Sequence, residues 1–234
     1  MDNVWQMAFL RSRAILAAFM CTAGIAAGCS SSTPPPTAHS SAIPNGLGTP
    51  SQQAAFLTTN ELQALPGAPA GLTVAPSRKG SLFQDPDPRS PCGARVTLPD
   101  FSQGTQIQFQ SATLAAFQVV VDQPVPGAAA FVTAWQKDTR TGCSPFTSRT
   151  NTGSTQISQL VASIPMPTLV DQATGAWSTI NDNGQTVDSY GMILRSGGRL
   201  ELDVLITQAP LPLSFVAGFA REAESLLKAS LSAS

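Results

Sequence analysis

Cys29 is the residue whose surroundings indicate the most definite chemistry. It ends an apolar run that follows Arg11 and Arg13. The run is about fifteen residues long, which is too short to span a bilayer comfortably. A positively charged start, an apolar stretch and small residues before a cysteine are typical of a bacterial export signal whose cysteine takes a lipid such as palmitate. We predict a lipoprotein signal peptide over residues 1–28 and lipidation at Cys29.

Two alternatives concern this segment. Ordinary signal cleavage after the small residues Gly24 and Ala26 would leave Cys29 as a free thiol in a secreted protein. Translation could start at Met1 or at Met7, because the first six residues lengthen the segment before the charges. The predicted location is extracytoplasmic in each case, anchored to the cell membrane by lipid or secreted.

Cys92 and Cys143 are predicted to form a disulfide. Cys21 leaves with the signal peptide and Cys29 takes the lipid, so two cysteines remain in an oxidising compartment and permit one pairing. The alternative is a redox-active or metal-ligating pair. The Cys-x-x-Cys spacing is absent, and His39, the one histidine, lies before the domain, so we expect no metal or cofactor.

The sequence contains no recognisable catalytic motif, and we predict a non-enzymatic protein. A serine hydrolase normally needs a histidine base, and Gly-x-Ser-x-Gly does not occur. A hydrolase that works through two carboxylates is not excluded by composition. Asp85 and Asp87 resemble a fragment of a calcium loop, but the prolines beside them favour a plain turn.

Composition gives the domain organisation. The formal net charge is −1, which provides no electrostatic basis for nucleic-acid binding. Residues 29–54 are rich in proline, serine and glycine and are predicted to be a disordered tether. Residues 55–230 are predicted to be one α+β domain, with an antiparallel β-sheet flanked by helices and one disulfide.

Several elements of this domain can be predicted from local patterns. Thr58 and Glu61 form a capping box that begins a short helix. Alternation of polar and apolar residues predicts strands over 104–110 and 114–122. A helix is expected from Pro126 to about Thr139, with Gly142 as its stop, and one or two strands over 146–160.

The strongest pattern is a three-stranded meander. Asn183-Gly184 and Gly197-Gly198 predict tight hairpin turns, so the strands cover 176–182, 185–195 and 199–207. Counting from the turns places Trp177 opposite Tyr190, and Tyr190 opposite Leu205. Ile180, Val187, Ile193, Leu202 and Val204 lie on the other face.

Both faces of the meander are apolar, so each must pack against something. A C-terminal helix is expected from about Ser214, with Glu222 and Glu224 outside its apolar stripe. If this helix covers Trp177, Tyr190 and Leu205, the three are ordinary core. If it packs on the opposite face, they line an apolar groove for a lipid or small molecule, and Arg195 and Arg199 would steer an anionic head group.

The order of these parts resembles a known family. Phe56-Leu-Thr-Thr-Asn-Glu61, Pro91-Cys-Gly-Ala94 and Phe131-Val-x-x-Trp135 followed by Gly142-Cys-Ser-Pro-Phe146 are similar to the PknH-like extracellular sensor domain of mycobacterial receptor kinases and lipoproteins. The resemblance covers about residues 56–228. It implies an α+β fold with an antiparallel sheet, flanking helices and a ligand-binding cleft, but no catalytic residues. The receptor version has two disulfides, whereas this domain has cysteines for one.

The predicted function is therefore that of an extracytoplasmic lipoprotein whose sensor-like domain binds a small molecule or lipid of the cell envelope. The predicted ligand-binding residues are Trp177, Tyr190 and Leu205. The alternatives are an accessory module that binds another envelope protein, whose identity the sequence does not indicate, and a carboxylate-dependent hydrolase.

Overall fold

The computed structural model describes residues 48–79, 90–94, 104–149, 155–182 and 184–232. The signal segment, Cys29, His39 and the turn with Asp85 and Asp87 lie outside these residues. The elements in chain order are α1 (Pro50–Gln53), α2 (Thr59–Ala64), β1 (Thr73–Lys79), β2 (Thr105–Gln110), β3 (Leu114–Asp122), α3 (Val125–Thr141), β4 (Phe146–Arg149), β5 (Thr155–Ser163), β6 (Gln172–Asp182), β7 (Gln185–Ser196), β8 (Arg199–Thr207) and α4 (Leu213–Ser232).

The strands of the described residues form one eight-stranded sheet in the order β1-β2-β3-β8-β7-β6-β5-β4. Every neighbouring pair is antiparallel. The predicted α+β class with an antiparallel sheet and flanking helices is confirmed. Because β8 returns to pair with β3, the two halves of the chain share one continuous sheet.

The predicted meander is confirmed in its register. Trp177 pairs with Tyr190, and Tyr190 pairs with Leu205. Gly184 and Gly197 have φ values of 82° and 60° at the two turns, a left-handed conformation that glycine adopts without the penalty of a Cβ. The first strand begins at Gln172, earlier than predicted.

The two faces of the sheet are covered by different helices. Successive residues of a strand point to opposite faces, and each face of the central strands is apolar. Helix α3 covers one face and packs Phe131, Val132 and Trp135 against residues such as Ile193 and Leu202. Helix α4 covers the other face. Its buried side chains, together with Tyr190, Met192 and Leu205, form a second core; they include Phe215, Val216, Phe219, Ala220, Ala223 and Leu227.

One prediction about α4 is wrong. Glu224 was expected outside the apolar stripe, but it has no solvent exposure. Its Oε1 accepts hydrogen bonds from the backbone N–H groups of Leu169 (2.5 Å) and Val170 (2.9 Å). The carboxylate is buried because it satisfies the backbone of the segment that leads into β6.

The folded domain extends further toward the N-terminus than predicted. Residues 48–54 were assigned to the tether, yet α1 begins there with Thr49 as its N-cap. Gln52 is buried; its Nε2 donates to Asp122 (2.9 Å) and its Oε1 accepts from the Thr105 hydroxyl (3.1 Å). These polar contacts, which proline and glycine content does not reveal, fasten the segment to β2 and β3.

The predicted disulfide joins Cys92 and Cys143, whose Cα atoms are 5.4 Å apart. It connects residues 90–94 to the C-terminal end of α3. Asp138 reinforces this connection, because its Oδ2 accepts a hydrogen bond from the backbone N–H of Cys92 (3.0 Å). Among the described residues, no helix is long and apolar enough to cross a membrane.

Candidate functional site

The candidate site begins with three residues that the meander brings side by side. Pairing of β6, β7 and β8 aligns Trp177, Tyr190 and Leu205 across one face. The Trp177 and Tyr190 rings stack with their centroids 5.6 Å apart and an interplanar angle of 12°. Offset stacking of this kind is favourable for aromatic rings and fixes the position of the indole.

Helix α4 covers most of this row. Tyr190 and Leu205 have no exposed surface and lie in the same core as Phe215 and Phe219. The Tyr190 hydroxyl accepts a hydrogen bond from the backbone N–H of Leu211 (3.0 Å). Burial raises the pKa of Tyr190 above its ordinary value, an effect that this hydrogen bond opposes. Two of the three predicted ligand-binding residues are thus placed in the core, beneath the helix.

Trp177 is the member of the row that remains partly exposed. Its Nε1–H donates to Asp188 Oδ1 (3.2 Å), so both the stack and this hydrogen bond hold the ring. The partly buried Met166, Val170 and Ala173 belong to the rim of the same core. We call Trp177 together with Met166, Val170 and Ala173 the Trp177 rim.

Gly175 shapes the Trp177 rim. It lies two residues before Trp177 on the same face of β6. Because glycine has no side chain, two neighbouring side chains can lie directly against the backbone of β6 at this position. A Cβ at this position would lie 2.8 Å from Met166 Sδ and 3.0 Å from Ile164 Cβ. Glycine therefore permits the segment after β5 to pack closely beside the indole.

The two arginines predicted to steer an anionic head group are both engaged. Arg195 forms an ion pair with Asp171 (3.4 Å) and donates to Gln172 Oε1 (2.6 Å). Arg199 is 5% exposed and pairs with Asp122. The predicted electrostatic role is not supported, because the guanidinium groups already have anionic partners.

Sequence reasoning missed a pair of buried acids on the same face. Glu201 and Asp203 have no solvent exposure, although the alternation of β8 places them on the face of Leu205. This register was available from the hairpin turn. A charged residue in a strand ordinarily points to solvent, and this expectation fails in a central strand with helices on both faces.

The acid pair has few hydrogen-bond donors. Gln118 Nε2 donates to Glu201 Oε1 (2.8 Å), and Gln118 Oε1 accepts from the backbone N–H of Leu57 (3.0 Å). Burial, and then the neighbouring Asp203, raise the pKa of Glu201 well above its ordinary value. Burial raises the pKa of Asp203 to about 7. Burial therefore shifts the protonation equilibrium of both acids toward the protonated form.

This pair does not provide the exposed carboxylates that a hydrolase of the predicted alternative class needs. A substrate must reach both groups, and neither has accessible surface in the structure. Among the described residues, no group of three or more histidine, cysteine, aspartate or glutamate side chains could hold a metal ion.

Comparisons with known proteins concern the fold. No protein-family model and no curated protein matches the sequence. The structure is similar to the extracellular domain of PknH from Mycobacterium tuberculosis, with a TM-score of 0.51 and 13% identity over 76% of this chain and 94% of that chain. This chain has the fold of the PknH extracellular domain.

A second similar structure is a putative uncharacterized protein (Rv0999 ortholog) from Mycobacterium smegmatis. Its TM-score is 0.32, with 16% identity over 70% of this chain and 77% of that chain, which is too low to carry an argument. The PknH similarity supports the architecture that the resemblance implied. At 13% identity it transfers no ligand and no site residue to this chain.

Proposed function

We propose that this chain is a non-enzymatic extracytoplasmic lipoprotein whose domain binds a small apolar molecule or lipid of the cell envelope at the Trp177 rim. The observation that carries the proposal is the partly exposed indole of Trp177, held in place by the Tyr190 stack and by Asp188. A rigid aromatic face at the border of an apolar core offers contact area at little entropic cost.

The location is supported by two independent features. Residues 1–29 have the layout of an export signal that ends in an acylated cysteine. The Cys92–Cys143 disulfide fits an oxidising compartment. The shared fold with an extracellular domain agrees with both.

The charged groups on this part of the sheet indicate the chemical class of the ligand. Asp188 accepts the indole N–H of Trp177. Arg199 is paired with Asp122, and Arg195, which is paired with Asp171, points to the opposite face of the sheet, the face that α3 covers. Neither arginine is left to neutralise an anionic head group. The site therefore favours the uncharged hydrocarbon part of a ligand, with affinity coming from apolar burial.

The test uses tryptophan fluorescence in the purified chain. After the signal segment, the tryptophans are Trp135, which is buried against the sheet, and Trp177. The Trp135→Phe variant reports on Trp177 alone. Vesicles of a zwitterionic phospholipid with brominated acyl chains should quench this fluorescence, because bromine quenches on close contact.

The matched control is Trp177→Phe, in which Trp135 reports from the opposite face. Quenching should be weak in this variant. In both variants, adding an anionic phospholipid to the vesicles should leave the quenching unchanged. Equal quenching in both variants, or none in Trp135→Phe, contradicts binding at the Trp177 rim.

A protein-interaction module is the second candidate. It is favoured by large apolar side chains that point to solvent on β5 and in the segment after it: Ile157, Val161 and Leu169 are 49%, 44% and 54% exposed. Exposed apolar surface can form protein contacts. If Trp177 does not respond to lipid, this candidate takes precedence, with crosslinking in cells as the next measurement.

A further inference from the structure

A row of charged residues lies buried beneath α4. Arg199, Glu201 and Asp203 alternate along β8, so all three point to the face that α4 covers. They are 5%, 0% and 0% exposed. Arg199 is balanced by Asp122, whose Oδ1 lies 2.7 Å from its Nε. Glu201 and Asp203 have no such partner among the described residues.

The hydrogen bonds around the two acids are incomplete. Gln118 supplies a donor to Glu201 Oε1. Among the described residues, Glu201 Oε2 and both carboxyl oxygens of Asp203 are buried with no donor in hydrogen-bond geometry, although the two carboxyl groups interact with each other. Two adjacent carboxylates would repel strongly in this interior, and each would also lose its hydration. A proton on one of them removes a charge and creates an O–H donor for the other.

Neighbouring charged groups do not replace this proton. On β3, Asp122 is bound to Arg199 of β8. On β7, Tyr190 accepts from Leu211 and Asp188 accepts from Trp177. On α4, Glu224 is buried and accepts from the backbone at Leu169 and Val170, whereas Arg221 and Lys228 are exposed. Residues 50–57, which pack on this face, contain no charged side chain.

We propose that Glu201 and Asp203 form a proton-binding site that holds one shared proton in the folded domain at neutral pH, and that this proton stabilises the packing of residues 55–57 on the sheet. Gln118 connects the two parts. Its amide N–H group binds Glu201, and its carbonyl accepts from the backbone N–H of Leu57. A change at the acid pair therefore acts on the segment through which the chain enters the domain.

The direction of the pH dependence follows from the two states of the chain. The ordinary pKa values are 4.5 for glutamate and 3.8 for aspartate, and the unfolded chain loses its protons near these values. The folded domain keeps them to higher pH, with the pKa of Asp203 raised to about 7. The stabilising contribution is thus complete below about pH 4 and is lost as the pH rises through about 7.

Infrared spectroscopy of the purified full chain tests the proton directly. At neutral pH the wild type should show the C=O stretch of a protonated carboxyl group, although ordinary carboxyl groups are ionised there. The double variant Glu201→Gln/Asp203→Asn should remove this band, because burial favours the protonated form of either acid that remains alone. Glu222→Gln, the same change on a partly exposed residue of α4, should leave it intact. Absence of the band in the wild type overturns the proposal.

Stability measurements test the consequence. Between about pH 5 and about pH 9, the urea midpoint of the wild type should fall, and that of Asp203→Asn should change less. At the same alkaline pH, the Leu57 amide should exchange with deuterium faster in the wild type than in Asp203→Asn. A stability that depends on added metal or chelator, or equal pH profiles in both proteins, overturns the proposal. If Asp203→Asn or the double variant fails to fold, the wild-type spectrum and the pH profile of Glu201→Gln still decide.

Discussion

Arg199 joins segments that are distant in sequence. Its guanidinium binds Asp122 of β3 through two hydrogen bonds of 2.7 and 3.2 Å. It also donates to the backbone carbonyl and the hydroxyl of Ser51, and to the hydroxyl of Ser230 in α4. A planar guanidinium can satisfy several acceptors at once. This one side chain therefore ties the N-terminal segment and the end of α4 to the sheet.

Arg199→Met should reduce the free energy of unfolding by about 2 kcal/mol, because it removes a bidentate ion pair and leaves several acceptors without a donor. The loss is limited because the Asp122 side chain is 50% exposed and can regain water. Urea unfolding followed by circular dichroism measures the change.

The matched control for this substitution is Arg221→Met, at an exposed position of α4. It should change stability by about 0.5 kcal/mol or less. Equal losses in the two variants would show that Arg199 contributes no more than an ordinary surface arginine.

At the scale of elements, α3 and α4 cover the two faces of the sheet, and the disulfide fixes the C-terminal end of α3. Helix α3 ends at Gly142, whose φ of 68° terminates the helix while its N–H bonds to the Asp138 carbonyl (3.0 Å). Cys143 follows at once and fixes this end to Cys92. The disulfide thus holds residues 90–94 against the C-terminal end of the helix that covers one face of the sheet.

Replacing Cys92 and Cys143 together by serine should lower the free energy of unfolding by up to about 4 kcal/mol, since the bond closes a loop of 51 residues in the unfolded chain. The measurement is urea unfolding with and without dithiothreitol.

Dithiothreitol should lower the midpoint of the wild type toward that of the double variant and should not affect the double variant itself. A wild-type midpoint that does not respond to the reductant would contradict a stabilising disulfide, provided that reduction is verified by thiol titration.

At the scale of the whole molecule, the point at which the chain enters the domain limits how far the domain can lie from a lipid on Cys29. Gly48, where the described structure begins, leads into α1, and α1 is bound by Arg199 beside the end of α4. The chain between Cys29 and Gly48 can reach at most roughly 70 Å when fully extended. A lipid on Cys29 would therefore keep the domain within that distance of the membrane surface.

Cys29→Ser should remove the lipid and move the protein from the membrane fraction to the soluble fraction of broken cells, because the acyl chains provide the membrane affinity. Mass spectrometry of the wild type should show the added lipid mass.

Cys21→Ser, a thiol lost from within the apolar run, should leave both results unchanged. If the Cys29→Ser protein stays with the membrane to the same extent as the wild type, the predicted anchor is wrong, and attachment must come from another contact.

The sequence by itself determined the elements whose cause is local. The Thr58–Glu61 capping box is present, with hydrogen bonds in both directions. Gly184 and Gly197 placed the turns of the meander, and the turns determined the strand register. These features depend on residues a few positions apart, so the local sequence is sufficient to predict them.

Tertiary structure alone decided which apolar face each helix covers. It thereby decided which residues of the candidate site are buried and which are exposed. Tyr190 is core because α4 packs over it, and Trp177 stays partly exposed because it lies at the end of the row. Glu201 and Asp203 are buried for the same reason, since β8 becomes central when it pairs with β3. Burial depends on contacts between residues distant in the chain, and alternation along one strand gives a side chain's face but not what covers that face.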